Sequence, residues 1–102
     1  MALVFTPDRW TGNQWASIEI DPAEHHYQVF LPLLQYLATT YGFEVPVTCP
    51  MLDGYAADFC LNGSEGTLFL DNWGMSLAFE HEPVRDLVLT QLQALPADFF
   101  LT

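Results

Sequence analysis

The 102-residue chain contains no lysine and only two arginines, Arg9 and Arg85. A protein that grips a phosphate backbone needs several cations to displace counterions, so direct nucleic-acid binding is excluded. Anionic membrane surfaces are disfavoured for the same reason. Cysteine is equally scarce: Cys49 and Cys60 lack the C-x-x-C spacing of a redox pair or zinc knuckle, and both read as small buried apolar residues. No apolar run approaches the ~18 residues of a membrane span, because Gln28, Pro32 and Gln35 interrupt the best candidate. The opening Met-Ala-Leu-Val-Phe-Thr-Pro has neither the basic residues nor the apolar stretch of a secretion signal. A cytoplasmic protein with reduced thiols is expected.

What the chain does have is carboxylate and aromatic bulk. Thirteen Asp and Glu against two Arg give a formal net charge of −11, while eight Phe, four Tyr and three Trp supply material for a core. Length and composition point to one domain spanning residues 1–102, able to fold without metal or disulfide.

Periodicity predicts an α+β domain. Leu3 to Phe5 and Trp15 to Ile20 read as strands of an opening hairpin joined by a turn over 6–14, with Trp15, Ser17 and Glu19 on the side opposite Ala16, Ile18 and Ile20. A helix over about 22–41 would start on an Asp21 cap with Pro22 at its first position and stop at Gly42. Its apolar arc is wider than an ordinary surface helix requires, and Val29, Leu33 and Tyr36 on the flank are candidates for an interface, together with the apolar tail residues Phe99 and Phe100. Phe43 to Val47 reads as an edge strand carrying Pro46, and Thr48 to Tyr55 as a loop. Residues 57 to 81 alternate as a three-stranded antiparallel meander with Phe59, Leu61, Leu68, Leu70, Leu77 and Phe79 on one face. With Gly63 to Gly66 as the first turn and Trp73-Gly74 as the second, Leu61 faces Leu68 and Leu70 faces Leu77. A second helix follows over about 83–95, its stripe formed by Val84, Leu87, Val88, Leu92 and Leu95. The result is an antiparallel sheet with both helices packed mainly on one face.

That register sets Asp58 directly opposite Asp71 on the outer sheet face, which also carries Phe69 and Glu80. Facing like charges are destabilising and need compensation by solvation, by a partner's Arg or Lys, or by a cation. Two Asp with a distant Glu80 are a thin set for a hard metal, so neither metal nor cofactor is expected. Trp73, at a turn, either packs over the sheet end or stands out as an anchor. Adjacent His25 and His26 diverge by ~100° on a helix and cannot readily share an ion. No nucleophile–base set or metal-ligand spacing indicates a reaction. The expectation is a non-enzymatic acidic interaction module for a basic protein partner, with Asp58, Asp71, Glu80, Phe69 and Trp73 as binding candidates. The alternative is a homo-oligomer with a groove between subunits.

Overall fold

The computed structural model describes residues 3–96 and 98–101. Six antiparallel strands form one open sheet in the order β1-β2-β6-β5-β4-β3, where β1 is Val4–Arg9, β2 Ala16–Asp21, β3 Cys49–Met51, β4 Gly54–Leu61, β5 Ser64–Asp71 and β6 Gly74–Phe79. Helices α1 (His26–Tyr41) and α2 (Glu82–Ala94) complete the α+β architecture. Val29, Leu33, Leu34 and Leu37 of α1 and Val88 and Leu92 of α2 join one buried cluster with Ile18, Ile20, Leu68, Leu70, Leu77 and Phe79 of the sheet.

The meander keeps its expected faces but not its expected register. Asn62 and Gly63 form a two-residue turn with φ of 50° and 78°, the left-handed pair that a tight hairpin prefers. Leu68 therefore pairs with Ala57 rather than Leu61, and Phe59 with Gly66. Asn72 and Trp73 make the second turn, where the Asp71 carboxylate accepts from the N–H groups of Trp73 and Gly74 at 2.8 and 3.1 Å. Leu68 then faces Leu77, and Leu70 faces Met75. Both corrections move the pairing by an even number of residues, so each large aliphatic stays inside. Gly66 lies between Phe59 and Phe79, whose rings occupy the space a side chain there would need.

Other boundaries change for local reasons. Asp21 is held in β2 by pairing with Val4 and makes no cap, and a single 3-10 turn (Ala23–His25) precedes α1. Gly42 closes α1 at φ 76°, as its position predicts. Phe43 to Val47 is irregular chain, from which Phe43 stacks on Phe59 at 5.1 Å; the short strand begins later, at Cys49. Strand β1 runs on through Pro7 to Arg9, where a turn was expected. In α2 the buried stripe is Arg85, Val88 and Leu92, with Leu87 exposed. The Arg85 guanidinium reaches the carbonyls of Asp8 and Ser17 at 2.9 and 3.0 Å and ties α2 to the first hairpin.

Both outermost strands are blunted. The Trp10 N–H bonds to the Trp15 carbonyl, so alternate residues of β1 bond inward and leave Phe5, Pro7 and Arg9 facing out. Pro7 has no N–H to offer, the Arg9 N–H is taken by the Asp8 carboxylate at 2.8 Å, and the Phe5 carbonyl accepts from Gln93 at 3.2 Å. At the far edge, β3 is three residues long with Pro50 at its centre.

Candidate functional site

The sheet face away from the helices follows from strand alternation. Ser17 and Glu19 of β2 sit opposite Ala78 and Ser76 of β6, which sit opposite Thr67 and Phe69 of β5. Asp8 of β1 lies beside Ser17, and Asp58 of β4 beside Thr67. Asp21 and Asp71 occupy the same face nearer the turn end of the sheet, while Glu65 and Cys60 pair at the opposite end.

Part of this face is roofed. The Trp10 indole bends back across the sheet, donating from Nε1 to the Ser76 hydroxyl at 3.1 Å and meeting the Phe69 ring edge-on at 5.9 Å. Trp15 stacks parallel to Trp10 at 6.5 Å. Ser17 and Ala78, which flank this roof on the face that carries no helix, are 0% exposed. Two depressions flank Trp10. One, of about 590 Å³, is lined by Asp8, Arg9, Glu19, Phe69, Asp71, Trp73 and Ser76 beside Trp10 and its turn. The other, of about 430 Å³, is lined by Trp15, Asp58, Glu65, Thr67 and Phe69.

Charge in the larger groove is uncompensated from within. Arg9 lines it, but its guanidinium pairs with Glu82 and donates to the Gln14 carbonyl. Arg85 is committed to Asp86 and two backbone carbonyls on the other side of the sheet. Neither Asp8, Glu19 nor Asp71 takes part in an ion pair among the described residues. Glu19 is half-buried and, among the described residues, its carboxylate accepts only from the Ser17 hydroxyl, at 3.0 Å. Burial pushes its carboxyl above the ordinary 4.5; the Ser17 hydrogen bond opposes this, and the nearby Asp8 and Asp21 carboxylates add to the rise.

The expected site residues separate into three groups. Phe69, Asp71 and Trp73 do meet in one groove, and Trp73 is 93% exposed. Asp58 and Asp71 do not face one another: Asp58 pairs with Thr67 and Asp71 with Gly74, because the Asn62-Gly63 turn resets the register. Asp58 lines the smaller depression instead, and Glu80, bonded through its N–H to the Glu65 carbonyl, has its carboxylate 3.3 Å from the His81 Nε2. The expected interface set fares differently. Val29 and Leu33 are wholly buried in the protein's own core and Phe100 nearly so, while half-buried Tyr36 packs edge-on against Phe99 and Phe100; only Phe99 is exposed. The tail is docked from Asp98 to Leu101, and Ala97 lies outside the described residues.

Trp10, Asp8 and Glu19 were missed as site residues. The signal was available: extending the first hairpin symmetrically about Gly12-Asn13 places Trp10 beside Trp15, on the face already assigned to Glu19. Cys49 and Cys60 are exposed rather than buried, since each falls on an outward position at the β3–β4 side of the sheet. His26 is buried with Nε2 at 2.6 Å from the Ile20 carbonyl, a structural contact between helix and sheet. No three His, Cys, Asp or Glu side chains converge as a metal site among the described residues, and no helix there is long and apolar enough to cross a membrane. The chain matches no protein-family model, no curated protein and no solved structure.

Proposed function

We propose that the protein is a non-enzymatic interaction module whose helix-free sheet face docks a basic protein partner. The observation that carries this reading is the groove between Trp10 and Trp73, where aromatic rings stand beside carboxylates that the chain's two arginines leave unpaired. A field of net charge −11 would accelerate encounter with a positive surface, and rings fixed on a rigid sheet would supply short-range affinity. Charge reversal tests it. Wild-type protein and two variants, Asp58→Lys/Glu65→Lys on the proposed face and Glu24→Lys/Glu44→Lys away from it, are used to capture proteins from a cell extract across a salt series. Basic proteins held by the wild type and the second variant, lost from the first and released as salt rises, support the reading. Capture that ignores which side is reversed, or no salt-sensitive capture, overturns it.

A specific surface favours self-association as a second reading. Tyr27, Leu31, Leu52 and Tyr55 are all exposed, and two adjoining hollows lined by Tyr27 and Tyr55 connect them, with Asp53 the only carboxylate in either lining. Two copies each bearing −11 would meet with least repulsion on such a sparsely charged patch.

A further inference from the structure

The groove does more than present charge, because its chemistry is specific. Its near wall, Trp10, is fixed in advance by the Ser76 hydroxyl, the Phe69 edge and the stacked Trp15 ring. Its other aromatic wall, Trp73, is almost wholly exposed and stacks on no other ring, so its indole faces are free. Carboxylates line it from three strands: Asp8 on β1, Glu19 on β2, and Asp71 at the end of β5, beyond the intervening β6. Each has one oxygen engaged locally, by the Arg9 N–H, the Ser17 hydroxyl and the Trp73 and Gly74 N–H groups respectively, and a second oxygen with no donor among the described residues. With no lysine in the chain and both arginines engaged, no cationic side chain among the described residues pairs with them, and a partner's cation would fit there.

We infer that this groove receives an arginine side chain of the partner, its guanidinium lying against the Trp73 and Trp10 rings and donating to Glu19 with Asp8 or Asp71. The inference rests on the docking role proposed above. Arginine suits the site better than lysine because a planar guanidinium can stack on an indole face and still direct its edge donors to carboxylates on two sides. A compact ammonium holds its water more tightly and points its donors one way only. Because Trp10 is already pinned, little ordering accompanies entry of the ligand. Glu19, whose carboxyl burial makes harder to ionise, is the group whose charge the guanidinium would secure.

The probe is a capped Gly-Arg-Gly peptide, with Gly-citrulline-Gly and Gly-Lys-Gly as neutral and ammonium controls. Binding is followed by the three indole N–H signals in nitrogen-15 correlation spectra, each assigned by a Trp→Phe variant. The arginine peptide should shift the Trp73 and Trp10 signals, lysine should bind at least about threefold more weakly, and citrulline should leave the spectrum unchanged. Trp73→Ala and Glu19→Gln should each weaken arginine binding about tenfold, whereas Glu44→Gln, which removes the same charge elsewhere, should change it less than twofold. Equal losses from Glu44→Gln and Glu19→Gln would show a diffuse field and no arginine site. Equal binding of citrulline or lysine, or no indole shift at millimolar arginine peptide, likewise overturns the inference. None of those results decides the docking role, which stands or falls on the charge-reversal capture.

Discussion

Two glycines lie under constraints that differ in kind. A Cβ on Gly54 would sit 1.7 Å from the Leu70 carbonyl oxygen, a backbone atom that can yield only if β4 and β5 separate. A Cβ on Gly66 would meet the Phe59 and Phe79 rings at 2.7 to 3.1 Å, and rings can tilt. Gly54→Ala should therefore cost about 3 kcal/mol or more and Gly66→Ala about 1–2 kcal/mol, read from urea unfolding midpoints; the reverse order would refute this account. Glu19 makes a prediction in pH. Its raised value means the folded protein holds a proton that the unfolded chain releases, so stability falls as pH rises from about the ordinary 4.5 through the folded value. Glu19→Gln should be more stable than wild type at neutral pH, with the difference shrinking as pH drops towards 4.5. A variant less stable than wild type at pH 7 would mean that the Ser17 bond outweighs burial.

At the scale of elements, Arg85 is the side chain on which α2 depends. It is buried in a stripe where periodicity places only aliphatics, and it spans to carbonyls of both β1 and β2. Arg85→Ala should destabilise by about 2–4 kcal/mol, leaving two strand carbonyls without that donor, and calorimetry would read it as a lower Tm. The hairpin turn at Asn62-Gly63 explains what the sequence did and did not disclose. Alternation in 57–61, 67–71 and 75–79 fixed which side chains turn inward, since that property survives any even slip. It could not choose among those slips: Gly63 to Gly66 also reads as a turn, and the backbone preference of the Asn-Gly pair decides the matter. The facing Asp58 and Asp71 were a consequence of the wrong slip and vanished with it. The site was legible only where single residues sat on correctly assigned faces, as for Phe69 and Asp71. Trp10 was hidden inside a segment whose Pro7 and Gly12 resemble a loop, although Pro7 occupies an outward-bonding position of an edge strand where its missing N–H does no harm. Arg85 in the core is illegible from hydropathy, because its partners are carbonyls contributed by distant strands.

For the molecule as a whole, the dominant force outside the core is self-repulsion. With −11 spread over a body of 12.4 Å radius of gyration, sodium chloride should raise Tm by screening like charges. A Tm that falls with salt would indicate that the few ion pairs outweigh the excess of carboxylate. Light scattering after size separation tests the sparsely charged patch around Tyr27 and Tyr55: a concentration-dependent dimer abolished by Leu31→Lys supports self-association there, and a monomer at every concentration removes it.

The treatment of the sheet's two rims has a further reach. A molecule that loses its charge in acid is ordinarily at risk of templated growth, each copy extending the last into a fibril. Here one rim carries Pro7, a capped amide and a Gln93 bond, and the other is a three-residue strip centred on Pro50. Acid-induced precipitates of the folded protein should accordingly be amorphous and fail to stain with thioflavin, because a guest strand meets an interrupted ladder at either rim.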